Sequence, residues 1–352
     1  MQEIIRKIEI SIENLRDKKS RIYFFVQDTK GNARASVKQI YDIALTLKNA
    51  GYNTIILHEK PDYYGVQNWL GEEYMTLPHQ AVEGQNLEIS PEDFIIVPEI
   101  FGYVMSQISN LPCGKIVLCQ SYDSIFETLQ PGQSWSQMGF NKCITTGEKL
   151  KEYTSSVMRG VSYDVITPLI GENFTVSELP VKPVVSIFSR EQRDSMNLIK
   201  TFYQKYPQYR WIRFRDMRGL SYNEFSTQLQ DSMVSVWIDE TSSFGTFPLE
   251  SMKCGVPVIG KIPNLVAEWM NENNGIWIQD TIKLVDIIAD YIQNWLEDNI
   301  SKELYEGMKN SYGQYSNKES FEQNAINLFQ SYLNIRLENF KAELDKHTTT
   351  AE

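Results

Sequence analysis

The sequence is poor in the residues on which most metal and thiol chemistry depends. Across 352 residues there are three histidines (His58, His79, His347) and four cysteines (Cys113, Cys119, Cys143, Cys254). The histidines show no metal or triad spacing, and no Asp-x-Asp motif occurs. The cysteines also lack ligand spacing and sit beside apolar strand-like runs, which reads as buried free thiols in a reducing compartment. Excess positive charge is missing too. Lys and Arg number 34 against 45 Asp and Glu, a net charge of −11, which argues against general binding to nucleic acid or anionic membrane. No apolar run approaches the ~20 residues of a transmembrane helix. Where a signal peptide would have its apolar core, the N-terminus carries Glu3, Arg6 and Lys7. The expectation is a soluble, cytoplasmic protein. Its composition, 42% hydrophobic and 22% charged, is that of an ordinary globular chain long enough for two domains.

Taken in order, residues 1–20 read as an amphipathic helix with Ile4, Ile5, Ile8, Ile12 and Leu15 along one side. That side is expected to pack on the body of the protein or on a second copy, making the terminal helices a surface for a homodimer. Strand-like runs at 21–26, 53–57, 94–97, 115–119 and 143–145 alternate with helical patterns, including 103–108 and 124–129. Together they predict one doubly wound α/β domain over 21–168. The stretch 169–183, with Pro180 and Pro183, has no clear period and reads as a linker. A second α/β series fills 184–315, with a strand at 210–215 and a short helix at 265–270. A long helix follows over 316–345, and 346–352 reads as a frayed tail.

The densest chemistry lies between two strands of the second series. Val234 to Ile238 is an apolar run broken only by Ser235, suited to a buried parallel strand. A polar loop follows, then a short helix with Pro248 in its first turn and Gly255 at its stop, then the strand Val256 to Ile259. Gly245 and Thr246 would leave backbone N–H groups free at the helix start, a ready anion or hydroxyl site. Glu250 projects from the same helix, placed there in its first turn, where it would also suit the helix dipole.

The stretch Ser-Phe-Gly-Thr-Phe-Pro-Leu-Glu-Ser-Met-Lys-Cys-Gly-Val-Pro-Val-Ile (243–259) resembles the donor-binding segment of the group-1, retaining GT-B glycosyltransferases. Their pattern is a glutamate, seven residues, and a second glutamate ahead of a Cys-Gly-x-Pro-Val-Ile type ending. Glu250 fills the second glutamate, while the first falls on Ser242, with Glu240 nearby as a stand-in. The resemblance implies a GT-B arrangement of two Rossmann-like doubly wound domains facing a cleft, with the C-terminal helix crossing back onto the N-terminal domain. It implies transfer of a hexosyl or other sugar from a nucleotide-sugar donor to an acceptor hydroxyl on a glycan, lipid-linked or other glycoconjugate. Retention, no metal and no cofactor beyond the donor substrate belong to the same expectation.

Carried onto this chain, Glu250 would accept the ribose hydroxyls. The segment Phe244, Gly245, Thr246 and Phe247 would offer amides to sugar or phosphate, and Ser242 would stand where a carboxylate usually holds the sugar. The family places an arginine after the first strand of this domain and a lysine five residues on. Here Arg190 matches, and Arg193 lies three residues on. Both are candidates for the diphosphate, since arginine forks bind phosphate oxygens bidentately. Gly31 and Asn32 resemble the family's Gly-Gly loop or form a plain turn, asparagine tolerating left-handed angles nearly as glycine does. Glu99 reads either as an acceptor contact or as a helix-start acid. Trp211, Arg213 and Arg215 read as an edge strand or as a base-stacking strip. A GT-B protein that binds nucleotide or glycan without transfer, or a nucleotide-sugar epimerase, are the rival functions.

Overall fold

A computed structural model describes residues 2–63, 65–84, 87–178 and 180–349. The chain divides into two compact units, one made of 1–167 with 318–352 and the other of 168–317. The first is built on strands β1 (Arg21–Phe25), β2 (Asn53–His58), β3 (His79–Ala81), β4 (Phe94–Pro98), β5 (Gly114–Cys119), β6 (Lys142–Thr145) and β7 (Ser162–Val165). The second carries β8 (Lys182–Ser189), β9 (Arg213–Asp216), β10 (Ser232–Ile238), β11 (Val258–Lys261) and β12 (Ile276–Ile278). Helices α1 (Gln2–Arg16), α2 (Ala35–Asn49), α3 (Gly102–Gln107) and α4 (Glu148–Val157) belong to the first unit. Helices α5 (Gln192–Lys205), α6 (Tyr222–Gln230), α7 (Thr246–Lys253), α8 (Thr281–Leu296) and α9 (Lys302–Gly313) belong to the second. The last, α10 (Lys318–Thr349), returns to the first.

Both sheets are parallel throughout. The first runs β3-β2-β1-β4-β5-β6-β7 and the second β12-β11-β10-β8-β9. Their central strands are apolar on both faces because helices cover both sides, so β4 and β10 are buried at every position. Each sheet has one point where strand order reverses, between β1 and β4 in the first unit and between β8 and β10 in the second. Loops at the carboxyl ends of those strands flank a crevice, the usual ligand position in open parallel sheets.

The apolar side of α1 packs on α10, burying Ile8, Ile12 and Leu15, while Ile4 stays 47% exposed. Helix α10 is tied down by Tyr332, which donates to Asp164 Oδ2 at 2.7 Å, and by Phe329 against Phe24. It runs on through residues that the sequence reading gave to a frayed tail; 350–352 lie outside the described residues. The stretch 169–183 is no loose tether. Ile170 and Phe174 are fully buried with Trp237 and Leu249 in the core of the second unit.

Two expected helices are absent: 124–129 and 265–270 form turns. Conversely, α9, β3 and β7 had no clear sequence signal. Gly307 sits inside α9, where a glycine reads as a breaker. A side chain there would drive a Cβ to 2.0 Å from the Asn273 carbonyl oxygen, so the residue permits a close approach of backbone to helix. All four cysteines are free and buried.

Candidate functional site

The second unit's switch point is framed by β10, α7 and β11. Ser235, which interrupts the apolar run of β10, lies within 2.6 Å of the Ser251 hydroxyl on α7, and Ser251 donates to the Val256 carbonyl at 2.9 Å. These buried hydroxyls stitch helix to strands and satisfy one another, which makes them tolerable in a core. At the helix end, Gly255 (φ 74°) donates to the Met252 carbonyl and Val256 to the Ser251 carbonyl, a Schellman stop. At its start, Gly245 caps α7 with φ 73° and lies against the Trp237 ring. Trp269 Nε1 donates to the Phe244 carbonyl at 2.7 Å and so holds the loop from the other side.

Within this frame Glu250 is 7% exposed. It is the fifth residue of α7, beyond the first turn where the sequence reading had put it, because the helix opens at Thr246. A simple dipole role therefore loses its main support. Burial, and after it the charge of Glu250, pushes the Cys254 thiol up to about 12. Gly245 and Thr246 are partly exposed at the helix start, whereas Phe244 and Phe247 are buried core side chains, Phe247 stacking on Phe188 at 5.2 Å. These phenylalanines can offer a ligand only their backbone. Ser242 is buried at 9%, with its hydroxyl turned toward Gly245.

The charges cluster at the same ends. Arg190, just past β8, directs Nε to Asp239 Oδ1 at 3.0 Å and Nη2 to Oδ2 at 3.4 Å. This fork spans the switch point from the end of β8 to the end of β10. Asp239 also accepts from the Thr241 amide and hydroxyl, so its position is set by several bonds. Arg193 is exposed in the first turn of α5. Glu240, the proposed stand-in for the absent glutamate, is instead salt-bridged to Lys261 at the end of β11. Asp239 and Lys261 were missed in the sequence. Arg190 and Asp239 are 49 residues apart, and only the sheet order makes them neighbours.

In the first unit, the loop after β1 also stands at a switch point. Its left-handed residues are Lys30 and Gly31, whereas Asn32 has an ordinary angle and donates its amide to the Thr29 carbonyl. Asn68 donates to the Gly31 carbonyl at 3.0 Å, and Trp69 donates to the Thr29 hydroxyl, so the segment after β2 braces this loop. His58 and His79 cluster with Tyr63 and Tyr41, His58 stacking on Tyr63 at 4.3 Å. Arg215 pairs with Asp231 and β9 is an edge strand, but it opens at Arg213, so Trp211 of the expected strand at 210–215 lies in the turn before it.

Glu99 is a helix-start acid turned inward. It is 2% exposed and accepts from the Gln120 amide at 3.0 Å and the Ser121 amide at 2.9 Å, latching the ends of β4 and β5 together. Desolvation pushes its carboxyl up to about 7, against those stabilising amides. An acid raised in the folded state contributes no penalty below its unfolded value, and loses stability for the fold as pH climbs to the folded value. Between about pH 4.5 and pH 7 the wild type should therefore lose about 3 kcal/mol relative to Glu99→Gln. Urea midpoints of both proteins across this range check it. Parallel curves would remove Glu99 as the cause.

No family model matches the chain, and no curated protein matches it. Solved structures do. Sucrose-phosphate synthase from Thermosynechococcus elongatus is similar at 12% identity and a TM-score of 0.63, over 90% of this chain and 100% of that one. Anabaena HepE in complex with UDP is similar at 13% identity and a TM-score of 0.62, over 89% and 100%. The pneumococcal O-GlcNAc transferase GtfA in complex with UDP and GlcNAc follows at 11% and 0.51, over 70% and 57%. At these identities the likeness is one of fold. The chain has a GT-B fold, shared with these structures.

Proposed function

We propose that this chain is a glycosyltransferase that takes a sugar from a nucleoside-diphosphate donor held on its second unit and passes it to an acceptor hydroxyl. One observation carries the reading: Arg190, at the carboxyl end of β8, is forked to Asp239 at the carboxyl end of β10, and the loop from β10 leads into the start of α7, with Glu250 one turn further in. Each group supplies something the reaction needs. A guanidinium stabilises charge as it develops on the leaving diphosphate. The Gly245 and Thr246 amides at a helix start favour a phosphate or hydroxyl oxygen. Glu250, buried and one turn in, suits a pair of ribose hydroxyls. HepE in complex with UDP-glucose supports UDP as the first nucleotide to test. Retention at the anomeric carbon and metal independence follow from the resemblance at 243–259, with a donor phosphate oxygen taking the acceptor proton. The acceptor belongs to the class of glycans and glycoconjugates.

The test is a thermal-shift panel of UDP, GDP, ADP, CDP and TDP with their common sugars. A ligand at about a hundred times its dissociation constant should stabilise by ~2.7 kcal/mol. Glu250→Ala, which removes a charged acceptor from two hydroxyls, should weaken the active nucleotide about ten- to a hundredfold. A panel with no shift, or an unaffected variant, would end the donor-site assignment.

A second reading has Ser242 in its favour. With no carboxylate at that position the donor sugar has one strong anchor fewer, which suits a protein that binds a nucleotide or glycan without turnover. Release of nucleoside diphosphate from the bound donor favours the transferase, and tight binding with no release on any acceptor favours the binder. Sugar inversion in the released donor would identify an epimerase.

A further inference from the structure

We propose that Lys261 is the second diphosphate cation of this site, and that Glu240 is the counter-ion it gives up when the diphosphate arrives. The inference rests on the donor-site reading above and adds residues that the motif does not name.

A nucleoside diphosphate brings more negative charge than one guanidinium matches. The position five residues beyond Arg190 holds Ser195, which is 1% exposed and donates its hydroxyl to the Gln192 carbonyl inside its own helix. It cannot supply a cation. The sheet supplies one elsewhere. β10 is flanked by β8 on one side and β11 on the other, with Ile238 opposite Ser189 and Trp237 opposite Gly260. Lys261 ends β11 level with Ile238 and Ser189, and Arg190 follows one residue beyond on the other side of β10, so both stand at the carboxyl edge of the sheet. With strands about 4.8 Å apart, their Cα atoms are separated by roughly 10 Å. The two cations are linked through neighbouring acids, Arg190 pairing with Asp239 and Lys261 with Glu240, which places both beside the loop that follows β10.

The two acids between them differ in how they are held. Asp239 has a side chain only 10% exposed and accepts from Arg190 and from the Thr241 amide and hydroxyl. It is a fixed part of the loop and orients the guanidinium. Glu240, the next residue, is 52% exposed and is salt-bridged to Lys261, whose own side chain is 17% exposed. A largely buried ammonium requires a counter-charge. An exposed carboxylate on a flexible stem can provide it in the empty site and swing to water when phosphate oxygens replace it. The exchange leaves the lysine paired throughout.

The experiment is isothermal titration of the full chain with UDP and with inorganic pyrophosphate at two salt concentrations. Lys261→Met should weaken both ligands about ten- to a hundredfold and reduce the salt dependence, and Lys261→Arg should restore binding to within a few-fold. Glu240→Gln should tighten both about two- to fivefold, because an exposed competing ion pair is removed. If the wild type binds and Lys261→Met binds equally well, Lys261 is not a diphosphate cation, while the donor-site reading stands. Weaker binding by Glu240→Gln would make Glu240 a positioner rather than a released counter-ion. Failure of the wild type to bind any of the five nucleoside diphosphates overturns the donor-site reading itself.

Discussion

Arg190→Ala is expected to lower turnover of a nucleotide sugar by about a hundred- to a thousandfold, the effect of removing one preorganised donor from a developing negative charge. The loss should fall on kcat more than on KM, because the charge on the leaving diphosphate is greatest in the transition state. The variant also deprives the buried Asp239 of its cation. Arg190 is itself 47% exposed, so water screens the pair and its loss should cost about 1 kcal/mol of stability. A thousandfold loss of turnover well below the melting temperature therefore cannot come from unfolding. Steady-state release of nucleoside diphosphate, measured beside a melting curve, separates the two effects. Turnover within threefold of wild type would mean that the guanidinium serves only the Asp239 loop.

The largest effect on stability in the site is expected from Gly245→Ala. An L-residue at φ 73° costs roughly 1–2 kcal/mol on its own. The added Cβ would also lie 2.9 Å from two carbons of the Trp237 ring. That ring is 2% exposed and meets Trp277 edge-on with centroids 6.3 Å apart, so it has nowhere to move. Overpacking of this kind costs about 1–3 kcal/mol, giving about 3 kcal/mol together with the backbone term. For a unit of this size the melting temperature should fall by about 6–12 °C. Gly219→Ala is the control. It has the same backbone sign (φ 74°) in the same unit, with open space at its Cβ, and should lose only the backbone term. Equal melting of the two variants would show that the Trp237 contact does not matter.

How far the site was legible depended on the range of each interaction. The frame from β10 through α7 to β11 could be read locally, because an apolar run, Pro248, Gly255 and a second apolar run each carry their own short-range signal. Glu250 came with it. Its burial did not, since a carboxylate on a helix reads the same whether it faces water or core. Asp239 looked like an ordinary loop acid until sheet order set it against Arg190, and Lys261 looked like the polar end of a strand. The segment 169–183 shows the same limit. Its prolines suggested a connection, but Ile170 and Phe174 are anchored in a core whose other members lie far along the chain. The turn at 265–270 has helical spacing, yet Trp269 spends its indole N–H on the Phe244 carbonyl, a bond that no local pattern announces.

The return of α10 to the first unit has a consequence for how the chain comes off the ribosome. The backbone passes between units twice, at 167–168 and again at 317–318. The second unit is thus one uninterrupted segment, able to close its core once residue 317 has emerged. The first unit must wait, because the helix that covers α1 and anchors Asp164 is synthesised after the second unit. Domains made vectorially usually finish in N-to-C order. Here the order is reversed: the second unit is complete while the earlier-made sheet still lacks its closing helix, leaving the α1 surface uncovered until α10 follows.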